Sequence, residues 1–351
     1  MFRITLEPLS FCVAFGMALI MGAEISTNML LHKICVQELN YSEWICDNLN
    51  KSSDIFNEVQ KKGNNFLMVS GWIESTGALV YSLFVGSLAD ELGFKPFLLG
   101  PLVGMLIGDI AMLFNCIFID VLPLEIFYFE RAWAIFGGSA VFYLGVYGYG
   151  LNVNYEISKQ CIVGILTQTV SSYRYGTMVT EPNSRASTMG RIDGFEVIGK
   201  IFGTLISPFI VNHLSATYSY SFKICCTLIA LIYVALMVKT PPGNPMTKFR
   251  KNFKFVDLFK PFLDMCKTLF TKRPNKLHWI LFMQFSMYAI YCASHEEELM
   301  RYLYLQKSFG FTGTDFAYLT AFITSVNSVG LLVILPILSQ LFKFHDATIQ
   351  T

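Results

Sequence analysis

The sequence predicts an all-α integral membrane protein, a bundle of about eight transmembrane helices. Three observations carry this reading. Of the 351 residues, 54% are hydrophobic, 15% aromatic and only 15% charged, against roughly 25% charged in soluble domains; that is too little charge for a water-facing surface. The apolar residues also sit in long blocks rather than in core stripes, near 9–31, 66–88, 97–119, 125–150, 218–238, 277–294 and 316–341, with a weaker, charge-bearing block near 192–212. Such blocks approach the roughly 20 residues needed to cross the hydrocarbon layer. Finally, the blocks lack the alternation of a barrel strand, and only helices or closed barrels satisfy their backbone groups in lipid.

Orientation follows from charge. Between Lys239 and Lys276 lie Lys248, Arg250, Lys251, Lys254, Lys260, Lys267, Lys272 and Arg273 against Asp257 and Asp264. Positive loops stay on the cytoplasmic side, so this stretch is inside, and counting outward puts the N-terminus inside and residues 32–65 outside. Two acceptor triplets for glycosylation, at Asn40 and Asn50, fall in that outer segment. The first span lacks a positively charged n-region and a clear cleavage site, which fits a retained span rather than a signal peptide. None of the nine cysteines has metal-ligand spacing. Cys35 and Cys46 face the oxidising side, where pairing is open to them, though sequence fixes no connectivity.

The order of segments is a short inner tail, two spans around a long outer segment, further spans with tight connections, a basic inner linker, and two more spans. The expected division is 1–240 for a six-helix half, with 1–31 as first span and 32–65 as outer loop, then 241–276 for the linker and 277–351 for a partial second half. Six spans, a linker and a second set is the layout of major-facilitator transporters, here with about eight of twelve helices. Residues 151–176 interrupt an inner loop and are too short to span. They are open to reading as an irregular loop or as an insertion bracketed by similar ends, Tyr147–Gly150 and Tyr173–Gly176.

The stretch from Gly86 to Lys95 lies between spans two and three on the inner side. It resembles the major-facilitator loop pattern G-x-L-A-D-x-x-G-R-K at Gly86, Leu88, Ala89, Asp90, Gly93 and Lys95, with Phe94 where the pattern has arginine. Gly86 permits close helix approach, Gly93 suits a turn, Asp90 suits a helix N-terminus or a basic partner, and Lys95 suits the inner leaflet.

A closer resemblance runs along most of the chain. Leu6-Glu7-Pro8-Leu9, His32-Lys33, the cysteine-bearing outer segment, Ser184-Arg185 and Met189 to Glu196 look like solute carrier family 46, the proton-coupled folate transporter and its relatives. The outer segment, through Leu39-Asn40 and Cys46-Asp47-Asn48-Leu49, is most similar to insect members. In that alignment 151–176 is extra and the family's last four helices have no counterpart, which implies a C-terminally truncated chain. The resemblance implies a proton-driven importer of organic anions, a multi-pass protein of the plasma membrane or, alternatively, the endolysosomal membrane. Protons, a small organic anion and lipid are its expected partners. Gly137-Gly138 stands where the folate transporter has Gly-Asp, which counts against folate itself.

Ionisable groups inside a membrane are expensive and mark pathways. The candidates are Glu24, Glu74, Asp109, Arg191, Asp193, Glu196, Lys200 and, after span seven, His295 with Glu296 to Glu298. Asp193, Glu196 and Lys200 share one helical face. By resemblance Asp193 aligns with the family's coupling carboxylate; alternatively, Glu196–Lys200 is a structural ion pair and Asp193 an interfacial residue. Glu24 and Glu74 either lie on the pathway or hydrogen-bond across the first two spans. Asp109 is open to reading as a packing residue satisfied by a hydroxyl. By resemblance Arg131 is the family's basic residue of span four, and it either attracts an anion in the cavity or pairs with Glu130 or a lipid phosphate. His295 lies two residues past the family's functional histidine and is open to reading as interfacial. Gly199-x-x-x-Gly203 is a close-packing signature.

No Walker loop, nucleophile elbow, zinc pair or dinucleotide fingerprint is present. The expectation is therefore no enzyme activity, no cofactor, no metal and no nucleic-acid partner. Proton-coupled transport of an organic anion leads, and a truncated, non-transporting membrane isoform with a binding or regulatory role is the alternative.

Overall fold

The computed structural model describes residues 6–22, 24–47, 54–92, 95–138, 182–238, 283 and 297–329, all of them in helices, turns or short connections, with no strand among them. Four helical stretches are long and apolar enough to cross a membrane: Glu7–Glu38, Lys95–Ile117, Ile192–His213 and Ala216–Met237. They coincide with the apolar blocks expected for spans one, three, five and six. The side chains facing away from the bundle are apolar. On α5 (Lys95–Ile117) Val103, Ile107, Ile110, Phe114 and Ile117 are exposed; at helical spacing they form one lipid-type face.

Span one is broken into α1 (Glu7–Met21) and α2 (Ile25–Lys33), which continues as a π-helical turn over Ile34–Glu38. Pro8 sits in the first turn of α1, where its missing N–H is harmless. Within 32–65 the described residues are largely helical. After the π turn come a short helix α3 (Glu43–Asp47) and the first turns of α4 (Asp54–Leu92). At 1.5 Å per residue α4 is about 58 Å long, so it outruns a hydrocarbon layer of roughly 30 Å. Its polar start from Asp54 therefore stands clear of the lipid. A disulfide joins Cys35 to Cys46 and ties α3 to the π turn, closing the pairing left open by the sequence. His32 to Asp47 at 3.1 Å and Lys62 to Glu38 at 3.1 Å add surface ion pairs.

Span four departs most from expectation. The block 125–150 suggests an α-helix, whereas Leu124–Phe136 is a 3₁₀ helix that ends at Gly137, φ 92°, followed by Gly138, φ 61°. Two successive left-handed residues suit glycine and halt a right-handed helix. Residues 139–150 lie outside the described residues, as does the segment 151–176.

Beyond these come α6 (Pro182–His213), α7 (Ala216–Met237), α8 (Glu297–Phe309) and α9 (Gly313–Val329). Thr312 caps α9: its Oγ1 accepts from the Asp315 N–H at 3.3 Å and its own N–H donates to Asp315 Oδ2 at 2.9 Å, a reciprocal capping box. Of the block 277–294, only residue 283 is described.

α1 packs on α6 and α7, α5 packs on the 3₁₀ helix and α7, α4 packs on the 3₁₀ helix, and α9 packs on α6. The expected close approach at Gly199 and Gly203 is present. A methyl group at Gly199 would lie 2.6 Å from the Phe11 carbonyl oxygen, and one at Gly203 would lie 2.6 Å from that of Phe15. A second stripe, Gly104 and Gly108 of α5, lets the 3₁₀ helix approach equally closely, with added methyls 2.6 Å from Trp133 Cα and from the Phe129 carbonyl oxygen.

Two apolar clusters fill the bundle. One joins Leu6, Leu9 and Val13 to Leu98, Leu102, Met105, Ile192, Ala230 and Val234. The other joins Ile20, Ile25, Leu30 and Leu31 to the disulfide, Leu67, Met112, Phe127, Tyr220 and Tyr302. On α5 and α7, Asp109 and Lys223 with Thr227 lie between residues of the two clusters, so buried polar groups interrupt the apolar packing there.

Candidate solute pathway

The break in span one is the first element of the candidate site. Glu24 is left-handed, φ 50° and ψ 42°, a conformation that is strained for a side chain of this size. The backbone is still satisfied: Glu24 N–H donates to the Met21 carbonyl at 3.2 Å, and its own carbonyl accepts from Asn28 N–H at 2.9 Å. Its carboxylate accepts from Thr27 Oγ1 at 2.8 Å. Interrupted helices at membrane depth persist where they line a cavity or are buried in protein.

α2 then meets the 3₁₀ helix. Ser26 Oγ donates to Glu130 Oε2 at 2.6 Å. The next residue, Arg131, pairs with Glu74 of α4 at 2.6 Å and donates through Nε to Ser70 Oγ at 3.1 Å. The side chains of Arg131 and Glu74 keep 20% and 29% of their surface exposed, so this pair is partly open rather than sealed. The ion pair of Arg131 is thus with Glu74 of α4 rather than with the neighbouring Glu130. Glu74 and Arg131, two of the candidates, are thus joined across α4 and the 3₁₀ helix, while Glu24 bonds within span one to Thr27.

Deeper in the bundle, Asp109 of α5 pairs with Lys223 of α7 at 2.7 Å and accepts from Thr227 Oγ1 at 3.3 Å. The hydroxyl partner was expected; Lys223, a charge in the apolar block 218–238, was not among the candidates. Lys33 is another unforeseen buried cation. It is 1% exposed, donates to Asn115 Oδ1 at 2.5 Å, and its ammonium lies 5.8 Å from the centre of the Phe127 ring.

On α6 Glu196 and Lys200 form an ion pair at 2.6 Å within the helix. Asp193 is half-buried one turn earlier, and it too has an interaction partner. The side chain of Arg191 and all of His295 and Asn50 lie outside the described residues. Gly86 and Asp90 belong to the last turns of α4 rather than to a loop; Gly93 lies outside the described residues. Lys95 donates to the Ala235 carbonyl at 2.8 Å. Its ammonium lies near the C-terminal end of α7, where the helix dipole favours a cation.

Among the described residues, no cluster of three His, Cys, Asp or Glu side chains is arranged to hold a metal ion. No curated protein matches the chain. A family model, Major Facilitator Superfamily, matches residues 129–347, well over half of the sequence. With its apolar spanning helices and this family match, the chain belongs to the major facilitator superfamily and is a membrane transporter of that type.

Proposed function

We propose that the protein moves a small organic anion together with protons, by alternating access, as a solute carrier family 46 member of invertebrate type. The observation that carries this reading is the partly open Arg131–Glu74 pair beside the break at Glu24. An arginine in this setting offers a planar, permanently charged fork that suits a carboxylate. Glu74 holds it in place and yields to a substrate anion competing for the same guanidinium.

Proton coupling resides on α6. Asp193 loads a proton, Glu196 and Lys200 set its field, and Glu24 and His295 border the route. The six-helix half over 1–240, the linker 241–276 and the second half from 277 move against each other, and 151–176 is dispensable. The protein resides in the plasma membrane with glycans on Asn40 and Asn50.

The test is uptake into proteoliposomes of a panel of labelled organic anions, with and without an inward proton gradient. Gradient-driven accumulation of at least one anion is expected. Asp193→Asn should keep exchange but lose that accumulation. No anion moving under either condition would overturn the reading. Full accumulation by Asp193→Asn would move coupling elsewhere, to Glu24 or Glu74.

A further inference from the structure

Beside the packing of α9 on α6, the described side-chain hydrogen bonds from α8 and α9 to the first half gather at one end of the bundle. Tyr302 OH donates to Asn28 Oδ1 at 2.6 Å, and Gln306 Nε2 donates to Tyr302 OH at 3.4 Å. Gln60 Nε2 donates to the Leu303 carbonyl at 3.3 Å and to Gln306 Oε1 at 3.4 Å. Asn28, Tyr302, Gln306 and Gln60 therefore form one unbroken relay across α2, α8 and α4. Close by, Asn212 of α6 donates to Thr314 of α9 at 3.3 Å.

The relay sits at the outer end. Tyr302 and Leu303 share an apolar cluster with the Cys35 and Cys46 side chains, whose disulfide belongs to the oxidising side. Gln60 is 6%, Tyr302 1% and Leu303 4% exposed, while Asn28 and Gln306 are half-buried, so the middle of the relay is covered and its flanks are partly open. The contacts are nonetheless of a kind that parts readily. Each of the four relay side chains is uncharged, and a neutral hydrogen bond is worth little net against water. Tyr302 and Gln306 are four residues apart, so one face of α8 carries the whole contact. Below it Tyr302 rests on the Phe316 ring, 5.2 Å between centroids.

We infer that the relay Asn28–Tyr302–Gln306–Gln60 is the outer latch of the transporter, a neutral polar seal that holds the two halves together outside and parts when the pathway opens outward. The inference rests on the transport reading above. It adds which residues close the outer face, and it implies that the state described here is closed on that side.

The test uses the full chain with every cysteine except Cys35 and Cys46 replaced. Leu67→Cys serves as reporter: Leu67 is buried in the same cluster, two helical turns along α4 from Gln60 on the same face. A membrane-impermeant thiol reagent is applied from outside. Tyr302→Phe keeps the ring on Phe316 and removes only the hydroxyl. Tyr302→Phe and Gln60→Ala each remove two neutral hydrogen bonds and should each speed labelling by at least roughly five-fold, the scale of one such bond. Separately, Gln60→Cys with Gln306→Cys and a short bifunctional thiol reagent should hold the halves together after cleavage at a protease site placed in the linker, and should stop labelling at Leu67→Cys. Unchanged labelling in both latch variants, or no cross-link, would overturn the inference. Neither readout needs transport, so failure of the unmodified chain to move any anion would count against the transport reading and leave this test standing.

Discussion

Lys223 and Asp109 form an ion pair at 2.7 Å between α7 and α5, with 10% and 3% of their side chains exposed. Two charges buried at mid-depth attract strongly but were expensive to desolvate, so the pair is more costly to break than to replace. Asp109→Leu alone strands the lysine and should destabilise the bundle by about 3 kcal/mol. Asp109→Leu combined with Lys223→Met should recover most of that loss. Thermal unfolding in detergent, run as a double-mutant cycle, checks this; a double variant as unstable as the single one would show that the charges serve something other than each other.

Close helix approach gives a second prediction. Gly203→Ala places a methyl group 2.6 Å from the Phe15 carbonyl and 2.7 Å from the Ala18 methyl, so α6 must move away from α1. Gly71→Ala meets nothing within 4 Å and gains helix propensity of up to about 1 kcal/mol. The melting temperature in detergent should fall for the first substitution and hold or rise for the second. Equal effects would mean that the α1–α6 contact is looser than the geometry shows.

Topology gives a third. Asn40 is exposed, φ 55°, at the head of an Asn-Tyr-Ser triplet, one turn beyond the disulfide-bonded Cys35. Expressed in a eukaryotic membrane, the protein should show a glycosidase-sensitive mass that shrinks in Asn40→Gln. Without reduction, Cys35 and Cys46 should resist alkylation. A tag at Asn40 labelled only after permeabilisation would place this segment inside and reverse the bundle.

What was legible in the sequence was whatever depends on one helix at a time. The apolar spans one, three, five and six and the Gly199–Gly203 signature need only local pattern. Gly104 and Gly108 carry the same spacing and were readable by the same rule. The pairs Arg131–Glu74 and Asp109–Lys223 were not, because they depend on which helices are neighbours, and all four side chains look alike to a search for charges in apolar blocks. The break at Glu24 has Gly22 nearby but no glycine at the strained position itself. The 3₁₀ form of Leu124–Phe136 escapes a hydropathy reading, which measures length and apolarity rather than turn pitch; only the paired glycines that follow hint at it.

The relation between Arg131 and Glu74 is the centre of the account, since the proposed anion must meet that guanidinium. Arg131→Gln removes the charge and leaves Glu74 to hydrogen-bond with an amide, while Glu74→Gln frees the arginine. Exchange of labelled for unlabelled anion across proteoliposomes, with no pH gradient, isolates substrate recognition from coupling. Arg131→Gln should reduce exchange at least about ten-fold, the scale of one charge-assisted hydrogen bond lost, while Glu74→Gln should keep exchange or raise its apparent affinity. Exchange by Arg131→Gln at the parent rate and affinity would contradict the claim that this arginine receives the anion.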